Sequence, residues 1–242
     1  MTATLVLSAV FSTSILSGVF GMAGGMILMG IYAALLPVPA AMALHGLSQL
    51  SANGARALLL RHAVDWRGAR YHFLGAAVSV ALFLGWDFQA PQRGFLIALG
   101  LVPFLALVLK EVPWLDFGRP FGAFLSGFLV CSVQLLVGVG GPLLDVFFTN
   151  TRLNRHQVVA TKAFTQSASH LIKLVFYGRG LLQFEHGDPL ILAAVAALAC
   201  AGTWVGGKIL DRMSDVAFRQ ATRWIVMGVG VVYLVRGLMG PG

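Results

Sequence analysis

Acidic side chains are scarce in this chain: Asp and Glu together number nine among 242 residues, and Lys and Arg add only seventeen. Charged residues make up 11%, hydrophobic residues 58%, and mean hydropathy is +0.84. That balance excludes an ordinary soluble domain, in which about a quarter of the residues are charged. Cysteine is equally sparse. Cys131 and Cys200 lie far apart within apolar stretches and form no paired motif, so they read as structural. Missing too are H-E-x-x-H, G-x-S-x-G and the P-loop, and no histidine pair has metal-ligand spacing within one helical turn. These absences argue against an enzyme and leave no cofactor or metal to expect.

What the chain has in quantity is long apolar runs. Leu5 to Phe20, Tyr71 to Trp86, Leu190 to Gly206 and Trp224 to Leu238 are nearly free of charge and close to the ~20 residues a spanning helix needs. The apolar residues run together and do not alternate with polar ones, which disfavours a barrel. The chain therefore reads as an all-α integral membrane protein with the lipid bilayer as its partner. Its first run lacks a basic n-region and continues past Gly21 to Gly25 into more apolar sequence, so it reads as a retained span and not a signal peptide. A formal charge of +8 would point to nucleic acid in a soluble protein. Here Lys and Arg cluster at the ends of apolar runs, the orientation signal of membrane proteins, and no nucleic-acid partner is expected.

Ten helical segments are expected, at 3–20, 25–36, 39–61, 67–87, 93–110, 119–137, 141–150, 155–177, 188–210 and 216–239. The second and seventh are short, reaching about 15 to 18 Å, or half of a hydrocarbon core of about 30 Å. Each begins at a glycine cluster, GMAGG at Gly21 to Gly25 and GVGG at Gly138 to Gly141, and Pro142 occupies the first turn of the seventh. Five segments thus match five: a repeat over 1–117 and another over 118–242, within one structural domain. An odd number of spans turns the second copy upside down, which is the inverted-topology plan of many secondary transporters. Arg61, Arg67, Arg70, Arg152, Arg155, Lys208, Arg212, Arg219 and Arg223 then fall on the cytoplasmic side. Both termini and the link containing Glu185 and Asp188 fall on the periplasmic side.

Two polar stripes give this frame a chemistry. His45, Gln49, Asn53 and Arg56 fall at i, i+4, i+8 and i+11, within roughly 80° of one another on a helix. Lys162, Gln166, His170 and Lys173 repeat that spacing at a constant offset of 117. Ionisable groups inside a membrane are costly and usually face a cavity or a partner. Two short helices starting at glycine breaks would also bring unsatisfied N–H groups and positive dipole ends toward the midplane, at Gly24, Gly25, Gly140 and Gly141. Cations, amides and helix starts with few carboxylates favour a small anion as ligand. His45 titrates near neutrality unless perturbed, and Asp145 is the one carboxylate within a short helix. Either could carry a coupled proton, and Asp145 could instead pair with a basic neighbour. The glycine pairs could serve helix packing, Asn53 and His170 could be interhelical glue, His45 could be a satisfied buried histidine, and Arg56 and Lys173 could snorkel to an interface. Asp87, Glu185 and Asp188 read as interfacial charges, and His62, His72, His156 and His186 as solvated groups near segment ends. An anion transporter is the leading reading. The alternatives are a non-transporting scaffold or assembly subunit and an anion channel, and an oligomer is compatible with each.

The stretches GVFGMAGG (18–25), VDW (64–66), GVGGPLLDVFF (138–148), RHQVVATKAFTQ (155–166) and HLIKLVFYG (170–178), in this order and spacing, resemble the TauE/SafE family of sulfite exporters over nearly the whole chain. That resemblance implies a multi-pass protein of the bacterial inner (plasma) membrane that exports sulfite or a small organosulfonate such as sulfoacetate, with protons as a coupling ion. It matches the family's repeated glycines to Gly24, Gly25, Gly140 and Gly141. Met22 and Ala23 stand where many members have more glycine.

Overall fold

The computed structural model describes residues 2–20, 22–84, 91–179, 188–210, 212–213 and 215–239, and the regular structure among them is all helical. The α-helices are α1 (Thr2–Phe20), α2 (Met22–Leu35), α3 (Val38–Leu59), α4 (Trp66–Phe83), α5 (Gln92–Leu109), α6 (Pro120–Val137), α7 (Gly141–Thr149), α8 (Arg155–Tyr177), α9 (Pro189–Leu210) and α10 (Asp215–Met239). Ala3–Phe20, Gln92–Leu109, Pro120–Val137 and Pro189–Leu210 are long and apolar enough to cross a membrane, and α2 is a shorter apolar helix. Gly21, Asp87, Glu185 and His186, the end residues 1 and 240–242, and the side chains of Arg155 and Arg219 lie outside what is described.

Local sequence explains where most helices begin. Proline occupies the first turn of α3, α6 and α7, where its missing N–H costs nothing. Asn154 caps α8 through a reciprocal box: its side chain accepts from the Gln157 backbone N–H at 3.0 Å, and the Gln157 amide oxygen accepts from the Asn154 N–H at 3.1 Å. Gly138 ends α6 at φ 81°, a conformation that favours glycine, and so turns the chain sharply toward α7. The start of α2 differs from expectation. It lies at Met22, so Gly24 and Gly25 sit inside its first turn.

Tertiary packing pairs helices from distant parts of the chain: α1 with α9, α4 with α6, α3 with α8, and α5 with α10. The smaller contacts include α2 with α10 and α5 with α7. Small residues allow these helices to approach closely, because apolar side chains gain little from leaving lipid and backbone proximity must supply the contact. A methyl group at Gly18 of α1 would lie 2.6 Å from the Thr203 carbonyl oxygen of α9. One at Gly100 of α5 would lie 2.8 Å from the Gly230 carbonyl oxygen of α10.

His72 departs from the reading as a solvated end residue. It is fully buried on α4, and its Nδ1 lies 2.8 Å from the Ser126 hydroxyl of α6. Ser126 spends its own proton on the Ala123 carbonyl at 2.7 Å, so His72 donates to it. His62, His156 and Asp188 are exposed, as expected. Cys131 and Cys200 are both free thiols, the first buried.

Candidate functional site

The crossing of α3 and α8 brings the two polar stripes together. The helices run antiparallel, for His45 meets Lys173 while Asn53 and Arg56 face the same cleft as Lys162 and Gln166. Opposed stripes therefore divide into two groups. His45, Gln49, His170 and Lys173 are buried and absent from the cleft lining, and Asn53, itself buried, lines the cleft with Arg56, Lys162 and Gln166.

In the buried group, Lys173 Nζ lies 2.6 Å from His45 Nδ1 and donates to the Gly138 carbonyl at 2.9 Å. His45 Nε2 lies 2.9 Å from the Gly25 carbonyl, an acceptor only, so the imidazole carries its proton there and Nδ1 accepts from Lys173. A second chain of bonds runs from α8 to the start of α7. The Gly140 N–H donates to Gln134 Oε1 at 2.8 Å, which turns the amide so that its Nε2 donates to His170 Nδ1 at 2.7 Å. His170 is left with its proton on Nε2. The two imidazole rings meet edge to face with centroids 5.5 Å apart.

Donors outnumber acceptors at this crossing. Lys173 is 0% exposed, so it does not snorkel, and it bonds an imidazole and a backbone carbonyl. Gln49 is buried with no hydrogen-bond partner for its Nε2. Its Oε1 would lie 3.1 Å from a methyl group placed on Gly25, so the missing side chain there makes room for the amide. Asn53 donates to the Gln49 backbone carbonyl at 3.0 Å and approaches Oε1 at 3.5 Å.

The cleft beside this cluster has a volume of about 960 Å³. It is bounded by the C-terminal half of α3, the N-terminal half of α8 and the C-terminal parts of α1 and α9. Arg56, Lys162 and Lys208 bring three cations to its lining. Lys162 is in an ion pair with Asp145 of α7, with side chains 27% and 33% exposed. Lys208 Nζ sits 4.0 Å from the centroid of the Trp204 ring.

The glycines divide in role. Gly24 packs α2 on α1, since a methyl group there would collide with the Thr13 carbonyl and Ser17. The Gly140 N–H is committed to Gln134, and Gly141 opens α7 as a buried residue. Gly25 faces a stripe residue, Gln49, through its missing side chain. Three participants escape stripe spacing: Gln134, Gly138 and Lys208. Gln134 does carry a signal, as the one amide of an otherwise apolar α6, placed just before the glycine break. Among the described residues no group of three or more His, Cys, Asp or Glu is arranged to hold a metal.

Comparison with curated proteins and with solved structures gives no match. Comparison with family models gives one that covers nearly the whole chain. The model described as "Sulfite exporter TauE/SafE" matches residues 5–233, so this multi-pass chain belongs to the TauE/SafE sulfite exporter family, a family of membrane transporters and not of enzymes.

Proposed function

We propose that the chain is a secondary transporter that exports a small sulfur anion, sulfite or an organosulfonate such as sulfoacetate, across a bacterial inner membrane. The anion enters the cleft past Arg56 and Lys162 and is held at the α3–α8 crossing, where His45, Gln49, His170 and Lys173 meet. The observation that carries this reading is the buried, unpartnered Nε2 of Gln49 beside Gly25, whose carbonyl holds His45. A buried amide without an acceptor costs about 1 to 3 kcal/mol, and an oxyanion with two or three acceptor oxygens would repay it.

Two inverted repeats, 1–117 and 118–242, complete the proposal. Exchanging the halves turns the α1–α9 pair into α6–α4 and the α2–α10 pair into α7–α5, and leaves α3–α8 and α5–α10 unchanged. All of these contacts occur. Such a pairing supports a two-fold relation with the candidate site on its axis. Proton coupling is assigned to His45 or Asp145, which stand beside the two candidate anion positions.

A thermal-shift screen of the purified protein tests the function. Sulfite, sulfate, thiosulfate, sulfoacetate, taurine and short carboxylates form the panel. A ligand at 100 times its Kd adds about 2.7 kcal/mol of stability, enough for a clear shift. Sulfite or sulfoacetate is expected to raise the midpoint more than a short carboxylate does. A panel without any shift would remove the anion reading.

A further inference from the structure

We infer that the cleft prefers a sulfonate bearing an apolar chain of about four or more carbons, its head on Arg56 and Lys162 and its chain against Leu59, Val159 and Trp204. This rests on the reading of the cleft as the anion's point of entry and narrows the class of cargo.

Two features of the cleft point this way. Its volume of about 960 Å³ lies at the upper end of the roughly 300 to 1,000 Å³ typical of pockets for drug-sized ligands, far more than a bare sulfite fills. Most of its polar groups come from two helices, with Cys200, Thr203 and Lys208 of α9 the others. Asn53, Arg56, Lys162 and Gln166 come from the facing stripes of α3 and α8, while Leu59, Leu60, Val158, Val159, Ala201 and Leu210 contribute apolar wall. A hydrated inorganic anion gains nothing from such walls, whereas an alkyl chain leaves water as it enters. Trp204 is 62% exposed and carries Lys208 against its ring, so an aromatic surface and a cation stand together in the lining. The nearby carboxylate, Asp145, is already paired with Lys162. Charge and apolar surface are thus both complementary to an amphiphilic anion.

The test is a binding series on the purified chain, using sulfite and the methane, butane and hexane sulfonates, with 1-hexanol as the uncharged control. Affinity is expected to rise roughly two- to four-fold per methylene from methane to hexane sulfonate. The alcohol should bind much more weakly than hexane sulfonate. Val159→Thr and Trp204→Ala should each reduce the gain per methylene, and Val108→Thr on α5, away from the cleft, should leave it unchanged. A flat series alongside measurable sulfite binding would overturn this inference and spare the proposed function. Equal binding of hexanol and hexane sulfonate would overturn it too, by making the cleft a groove for lipid tails, as would a slope unaffected by both cleft variants. If no member binds, sulfite included, the proposed function falls with it.

Discussion

At Lys162 one positive charge is shared between a neighbour in the fold and any anion that reaches the cleft. Its pair with Asp145 is about a third exposed, and such pairs contribute only about 0.2 to 1 kcal/mol. An entering oxyanion can therefore compete for Lys162. A charge-assisted hydrogen bond is worth about 1.5 to 3 kcal/mol, so Lys162→Ala should weaken binding of the best anion in the screen by roughly 10- to 100-fold. Asp145→Asn should act in the opposite direction, tightening binding by up to roughly five-fold, because the competing carboxylate is gone while the cation stays. Titration of both variants against the parent, with unchanged elution profiles as the folding control, checks the pair. Equal affinity in Lys162→Ala and parent would favour a scaffold. Gln134 holds a different balance, since it joins the start of α7 to His170 without lining the cleft. Gln134→Leu leaves the buried Gly140 N–H and His170 Nδ1 without partners, at about 1 to 3 kcal/mol each. A fall in melting midpoint of roughly 5 to 15 °C is expected. A midpoint within a degree of the parent's would mean that neither group depends on the amide.

The contact between α4 and α6 is made by glycines whose missing side chains let backbone touch backbone. A methyl group at Gly127 would collide with the His72 carbonyl, and one at Gly75 with the Phe124 carbonyl. Gly127→Leu should thus force the helices apart and destabilise the protein by about 1 to 3 kcal/mol or more. Gly228 of α10 has nothing within 4 Å of such a methyl group. Gly228→Ala should instead stabilise by about 0.5 to 1 kcal/mol through the better helix propensity of alanine. Chemical denaturation in one detergent distinguishes these signs, and a destabilised Gly228→Ala would show that packing around α10 is tighter than described. The same contacts explain what could be read in advance. The existence and order of the helices were legible because proline, glycine and long apolar runs punctuate the chain locally. The start of α2 was not, since Gly24 makes room for α1 and does not break a helix. His72 and Lys173 were harder still. Each lies toward one end of its helix, where a polar side chain normally finds water. Their partners Ser126, His45 and Gly138 come from other helices, beyond the reach of any local periodicity. The stripes themselves were legible as faces, and their division into a buried cluster and a cleft follows from the antiparallel crossing of α3 and α8.

For the whole molecule, the direction of export depends on which way up the chain sits. The cleft is bounded by the C-terminal half of α3 and the C-terminal part of α9, and those ends also carry the strongest basic clusters, Arg61, Arg67 and Arg70 after α3 and Lys208 and Arg212 at α9. Positive charge flanking a span is retained in the cytoplasm, so the cleft should open inward, where an exporter collects its cargo, with both termini in the periplasm. Single cysteines placed in a chain with Cys131 and Cys200 replaced by alanine test this with an impermeant thiol reagent. His62 is exposed just after α3, on the basic side, and Leu190 is 78% exposed at the opposite end of α9. Leu190→Cys should react in intact spheroplasts, and His62→Cys only after the membrane is opened. The reverse pattern would turn the molecule over. Arg56 and Lys162 would then face the periplasm, where a cleft that concentrates anions serves uptake, and the assignment of export would have to give way along with the orientation.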